Sequence, residues 1–205
     1  MSDAARSVFI NCPFDDDFSP LFEAIIYTVA SSGYRIRCAL EESDAGDVRF
    51  EKLCRLIRES GKSIHDLSRV ELGGGGLPRF NMPFEFGLFL GAKRFGGKTH
   101  RTKTSLAMIK ERYRLPEYLS DAGGSDPECH HGQSLEVVKI VRRYLGVRPD
   151  GSQLPGALRI FAEFNGFKLA LPALAAELHI AATEIDPIRD YRDYATLLAE
   201  FLRRN

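Results

Sequence analysis

The stretch from Gly61 to Lys98, GKSIHDLSRVELGGGGLPRFNMPFEFGLFLGAKRFGGK, decides how the rest of the chain is read. It holds a short apolar run ending in an acid (Ser63-Ile64-His65-Asp66), a glycine-rich loop (Gly73 to Gly76), and a helix that opens at a proline and carries one carboxylate, Glu85. The neighbours of Glu85 are Met82, Phe84, Phe86, Leu88, Phe89 and Leu90. A carboxylate in that company is costly to desolvate, which marks it as a candidate for chemistry. Asn81 is expected to cap this helix, and Pro83 falls in the first turn, where a missing N–H costs nothing. The helix dipole then favours the Glu85 carboxylate while its apolar neighbours disfavour it. The alternative is a purely local role, in which Glu85 satisfies first-turn backbone donors in capping-box fashion.

Outward from this stretch the chain alternates apolar runs and amphipathic segments. Ser7 to Cys12 reads as a buried first strand stopped by Pro13. Ser19-Pro20 opens a helix to Ser32, with Leu21, Phe22, Ile25, Ile26 and Val29 at helical spacing, ending at Gly33. Tyr34 to Leu40 alternates apolar and basic residues, as a strand near an edge does. A helix over Phe50 to Ser60, a strand over Ser63 to Asp66, the Glu85 helix, a strand over Ser105 to Lys110 and a helix over Ser134 to Leu145 follow. Strands alternating with helices imply a doubly wound α/β domain, with a parallel sheet of four to five strands, over residues 1–148. Gly146 to Gly156 reads as a linker. A helical extension over 154–205 follows, with one helical pattern broken near Pro172 and another over Tyr191 to Arg204.

In open parallel sheets ligands sit outside the carboxyl ends of the strands. That rule gathers Asn11, Cys12, Pro13, Phe14, Asp15, Glu41, Asp44, Asp66, Arg69 and Met82 onto one rim with Glu85, as candidate substrate-binding positions. Each also has a local reading. Asp66 ends a strand and suits an Asx turn; Asn11 and Asp15 to Asp17 suit helix caps; Arg69 and Arg79 suit a solvated surface. His65 on an apolar strand reads as a core histidine. Gly73 to Gly76 lacks the Lys-Ser/Thr of a phosphate loop and reads as a flap.

Composition excludes several classes. The 28 basic residues balance 28 acidic ones, so a binder working mainly by neutralising nucleic-acid phosphates is not expected. The four cysteines, Cys12, Cys38, Cys54 and Cys129, stand singly, without zinc-site pairing or the density of a disulfide scaffold, and no metal site is expected. No apolar run reaches the roughly 18 residues of a membrane span, and a cytoplasmic protein without a membrane partner is expected.

The order of these motifs resembles the TIR-like and nucleoside 2-deoxyribosyltransferase-like superfamily. The residues that carry it are Asn11-Cys12-Pro13-Phe14-Asp15, an acidic second loop, Ile64-His65-Asp66, Met82-Pro83-Phe84-Glu85-Phe86-Gly87 and Gly96-Gly97-Lys98. The resemblance spans roughly Ser7 to Lys110 and leaves the tail from Leu154 uncovered. The first loop departs from the Ser-rich turn common in TIR domains, and the basic loop after the helix is long for a deoxyribosyltransferase. What the resemblance implies is a flavodoxin-like sheet and cleavage of an N-glycosidic bond. Glu85 would be the catalytic carboxylate and NAD the substrate, with no separate cofactor, in a homo-oligomer serving bacterial antiphage defence or signalling. It leaves open a nucleoside deoxyribosyltransferase or nucleoside hydrolase, and a non-catalytic TIR-like assembly module.

Overall fold

The computed structural model describes residues 3–41, 48–69, 80–111 and 126–205. Five strands form one all-parallel sheet: β1 (Ser7–Asn11), β2 (Arg35–Cys38), β3 (Lys62–Asp66), β4 (Thr104–Ile109) and β5 (Glu128–Cys129). Their order is β2-β1-β3-β4-β5, the flavodoxin-like arrangement. Two parallel strands need a crossover, and the intervening helices supply it: α1 (Ser19–Ser31), α2 (Arg49–Arg58), α3 (Asn81–Phe95), the short α4 (Lys98–Arg101) and α5 (Ser134–Leu145). Asp44, Arg79 and the Gly73 to Gly76 segment lie outside the described residues. Among those residues no helix is long and apolar enough to cross a membrane.

The period-two alternation of β1 distributes the core. Val8 and Ile10 face a large cluster with α1 and α5, while Phe9 faces Leu53, Leu56, Ile57 and Phe89 of α2 and α3. Strand β1 is buried along its whole length, which accounts for its continuous apolar reading. Neighbouring Ile64 and Met108 join the first cluster, and Ala107 and Ile109 pack instead with Leu67 and Phe86. Position 11 therefore falls on the α2/α3 side of the sheet.

The tail forms α6 (Ala157–Glu177) and α7 (Tyr191–Arg204), whose buried residues belong to the same cluster as α1 and α5. The segment read as a linker is folded against the domain. Leu154 is buried, Arg142 donates to the Leu154 and Pro155 carbonyls, and Arg148 donates to the Ser31 carbonyl. Between α1 and the tail lies a polar contact: Glu23 accepts from Tyr194 Oη at 2.9 Å and from Lys168 Nζ at 2.6 Å.

Three local expectations are corrected. Pro172 does not break the tail helix: α6 runs continuously with Pro172 inside it. The proline forgoes one backbone hydrogen bond, but Phe164, Phe167, Leu171, Leu174 and Ala175 bury the same helix face across it, and that packing outweighs the local cost. Asn81 does not cap α3; it is the first helical residue, Phe80 takes the cap position, and no side-chain cap bond forms. The sequence from Leu115 to His131 reads as a short helix and a loop; its first part lies outside the described residues, and Glu128–Cys129 form β5 where the loop is expected. A two-residue strand carries no periodicity from which to read it.

Replacing Tyr194 by Phe should cost about 1–3 kcal/mol, because Glu23 then keeps a buried carboxylate oxygen without its donor. Urea denaturation of the Tyr194→Phe protein measures this.

Candidate functional site

The rim at the carboxyl ends of the strands is assembled by Asn11. It is buried, and the two protons of its Nδ2 are both committed: one to His65 Nδ1 at 3.0 Å, the other to the Met82 carbonyl at 2.9 Å. One side chain thus joins β1, the end of β3 and the first turn of α3. As His65 Nδ1 accepts that bond, the ring proton of the neutral imidazole lies on Nε2, which is buried and has no hydrogen-bond partner among the described residues. The ring sits 4.8 Å from Phe86 and 5.9 Å from Phe9, centroid to centroid. Burial pushes its pKa down to about 3, so His65 is a neutral core residue, as its apolar strand suggests.

Glu85 follows on the second turn of the helix that Asn11 holds. Its side chain is half-buried, and among the described residues it accepts no hydrogen bond and forms no ion pair. The capping-box alternative is therefore not the arrangement found. Burial pushes its pKa up to about 7; the positive charge of Arg49, at the start of α2, opposes that rise. Beside it Phe84 and Phe50 are both about half exposed, with ring centroids 6.3 Å apart. Neither Arg49 nor this aromatic pair was legible as part of the rim, since residue 50 meets residue 84 only through tertiary packing.

The remaining candidates are placed as follows. Cys12 is buried, and its thiol is held well above its usual range by burial and then by the nearby negative charges of Asp66, Glu85 and Asp15, so it is no thiolate nucleophile. Those same charges show that Cys12, Asp66, Asp15 and Glu85 share one neighbourhood. Pro13 is buried, and Phe14 turns inward, edge-on to Phe22 at 5.4 Å. Asp15 caps the Phe18 N–H and pairs with Arg69 at 2.6 Å; Arg69 also reaches Asp17. The Met82 side chain packs with Leu67, Phe86, Ala107 and Ile109. Glu41, at the end of β2, is engaged by Arg37 and the Cys38 N–H, and burial raises its pKa.

Asp66 is wholly buried. One oxygen accepts the Ser68 N–H, as an Asx turn requires; the other lies 2.9 Å from His130 Nε2. Ser68 Oγ is 3.0 Å from that same nitrogen, giving a Ser-His-Asp grouping. It cannot relay a proton, because a relay uses both ring nitrogens and His130 Nδ1 is occupied by the Gly132 N–H. The grouping instead fixes the segment before α5 to the end of β3. His130 lies 64 residues from Asp66, and nothing in its local sequence signals the pairing.

The structure thus spends most of the polar rim on itself and leaves Glu85 available. The tail closes the outer side. Tyr191 lies against Phe22 and the Cys38 thiol, Arg189 pairs with Asp16 at 2.9 Å, and Arg192 donates to the Glu41 carbonyl.

Two pH dependences follow. His65 has an ordinary pKa of 6.5 and a folded one of about 3, so the unfolded chain takes up the proton first. Stability is fully present above 6.5 and falls as pH drops toward 3; in urea titrations across that window His65→Gln should show a shallower fall than wild type. Glu85 runs the other way, from an ordinary 4.5 to about 7. Its stability contribution is fully present below 4.5 and is lost as pH rises from there through about 7. Glu85→Gln should therefore exceed wild type by about 1–3 kcal/mol at pH above 8 and converge with it below pH 4, read from melting curves. A scan against protein-family models finds none that matches the chain, and a search of curated proteins finds no significant relative.

Proposed function

We propose that the protein cleaves the N-glycosidic bond of a nucleotide, with NAD as substrate and Glu85 as the catalytic carboxylate. The observation that carries this reading is the state of Glu85: half-buried, unpaired among the described residues, and set in the helix that Asn11 pins to the strand ends. Breaking a ribose–base bond develops positive charge on the sugar ring. A carboxylate close to the anomeric carbon stabilises that charge or traps it covalently, and desolvation strengthens the attraction. The bond to the base breaks with its electron pair going to the pyridinium nitrogen, which leaves as neutral nicotinamide; water then adds at the anomeric carbon and gives up one proton to solvent, completing ADP-ribose.

The Phe50 and Phe84 rings support the reading further. They present two half-exposed ring faces, tilted 37° to one another, one of them on the residue before Glu85, and such a face suits stacking by a planar base. Arg49 adds a cation on the same side, which suits a phosphate-bearing substrate better than a free nucleoside.

Incubation of the protein with NAD, followed by chromatography, should show released nicotinamide, and Glu85→Gln should abolish it while the melting temperature below pH 4 changes little. The carboxylate form does the work, so kcat/KM should rise with pH through about 7 to a plateau. Base release from free nucleosides but not from NAD would point to the nucleosidase reading, and undiminished turnover by Glu85→Gln would remove the carboxylate from the mechanism.

A further inference from the structure

The opposite end of α3 carries a second concentration of charge. From Lys93 to Lys103 the sequence holds five Lys and Arg residues and no acid, in a chain whose charges otherwise balance. The fold does not spread them out. Gly96 and Gly97 turn the chain from α3 into α4, and a Cβ on Gly96 would strike the Ala92 carbonyl oxygen and the His100 ring, so the close reversal requires glycine there. As a result Lys93 and Arg94 on α3 and Arg101 on α4 line one depression of about 590 Å³, with Leu90 at its side.

None of the three cations makes a side-chain hydrogen bond or ion pair among the described residues, and the same holds for Lys98 and Arg58. Elsewhere in the chain arginines pair with acids: Arg37 with Glu41 and Glu59, Arg143 with Glu128, Arg204 with Glu177 and Glu200. The positive field is strong enough that Lys103 and Arg58, after burial, disfavour the imidazolium of His100. Two basic residues in the last turn of a helix are accounted for by its dipole. A third from α4, Arg101, brought to the same depression with no acid paired to it among the described residues, is not, and the repulsion among the three is a cost that a bound anion removes.

We propose that this depression, between the end of α3 and α4, binds a phosphorylated small molecule through Lys93, Arg94 and Arg101. Its volume falls within the range of small-ligand sites, and its concavity suits a compact ligand better than a flat protein partner. Its lining is almost entirely cationic, which selects for a multiply charged group with several acceptor oxygens rather than for an apolar body. The guanidinium forks of Arg94 and Arg101 match phosphate oxygens in pairs, and Lys93 adds a point charge. The site is separate from Glu85: Arg94 is nine positions further along the helix, about 13 Å along the axis.

Calorimetric titration with inorganic pyrophosphate tests the assignment. Wild type and Glu85→Gln should both show saturable binding of equal strength that weakens with added salt. Arg94→Ala/Arg101→Ala should weaken it by about tenfold or more, and Arg94→Lys/Arg101→Lys should fall between. Arg94 and Arg101 are exposed, so the arginine variants should melt as wild type does. Absence of saturable binding, or binding unaffected by the alanine pair, would overturn the site. Loss of binding in Glu85→Gln with retention in the alanine pair would move the anion to the strand-end rim and equally refute it. A parallel titration with single-stranded DNA separates the polymer case: tight DNA binding without pyrophosphate binding would make the patch a polynucleotide surface instead.

Discussion

The two protons on one amide nitrogen of Asn11 hold the arrangement together. One reaches across to the end of β3, the other to a carbonyl in the first turn of α3, and so the helix carrying Glu85 is fixed relative to the central strands. A buried amide with an unmet donor would cost about 1–3 kcal/mol, so the geometry is strongly preferred over any slip of the helix along the sheet. It also sets the tautomer of His65, and through it the packing of Phe9, Phe86 and Phe89 around that ring. Position along β1 does the rest: with Phe9 facing α2 and α3, Asn11 must face the same way.

This clamp and the two ends of α3 divide the labour of the fold. Near the start of α3, the polar groups of the rim pair with one another, while Glu85 has no partner among the described residues. At its last turn the reverse holds, and cations gather with no acid paired to them among the described residues. Between them the helix is anchored by Phe86 and Phe89, both nearly fully buried. At Gly87 and Gly91 an added Cβ would meet no described residue within 4 Å.

The parallel sheet was readable because each strand is a compact apolar run and each helix shows its own period: Leu21, Phe22, Ile25, Ile26 and Val29 in α1, or Val137, Val138 and Val141 in α5. Glu85 stood out by contrast with its neighbours. What escaped the sequence is long-range. Asn11 bonds to groups 54 and 71 residues away, so its type suggested a cap or a ligand contact and gave no hint of a clamp. Asp66 and His130 meet only once β3 and the start of α5 are side by side. The continuity of α6 through Pro172 likewise depends on the apolar face it buries, which no helix propensity records.

The contacts at the far end of the chain have a consequence for how this protein could have been built. Arg189 and Arg192 meet the first loop and the end of β2, but such exposed charge contacts contribute little; Tyr191, buried beside Phe22, is the real anchor. Segments 173 residues apart, at Asp16 and Arg189, therefore meet beside the strand ends. A sheet domain excised and recombined with a different carboxyl-terminal partner would keep Glu85 but lose the contacts that Arg189, Tyr191 and Arg192 make with the first loop, α1 and the end of β2, so swapping of modules at this junction would reset the setting of that loop.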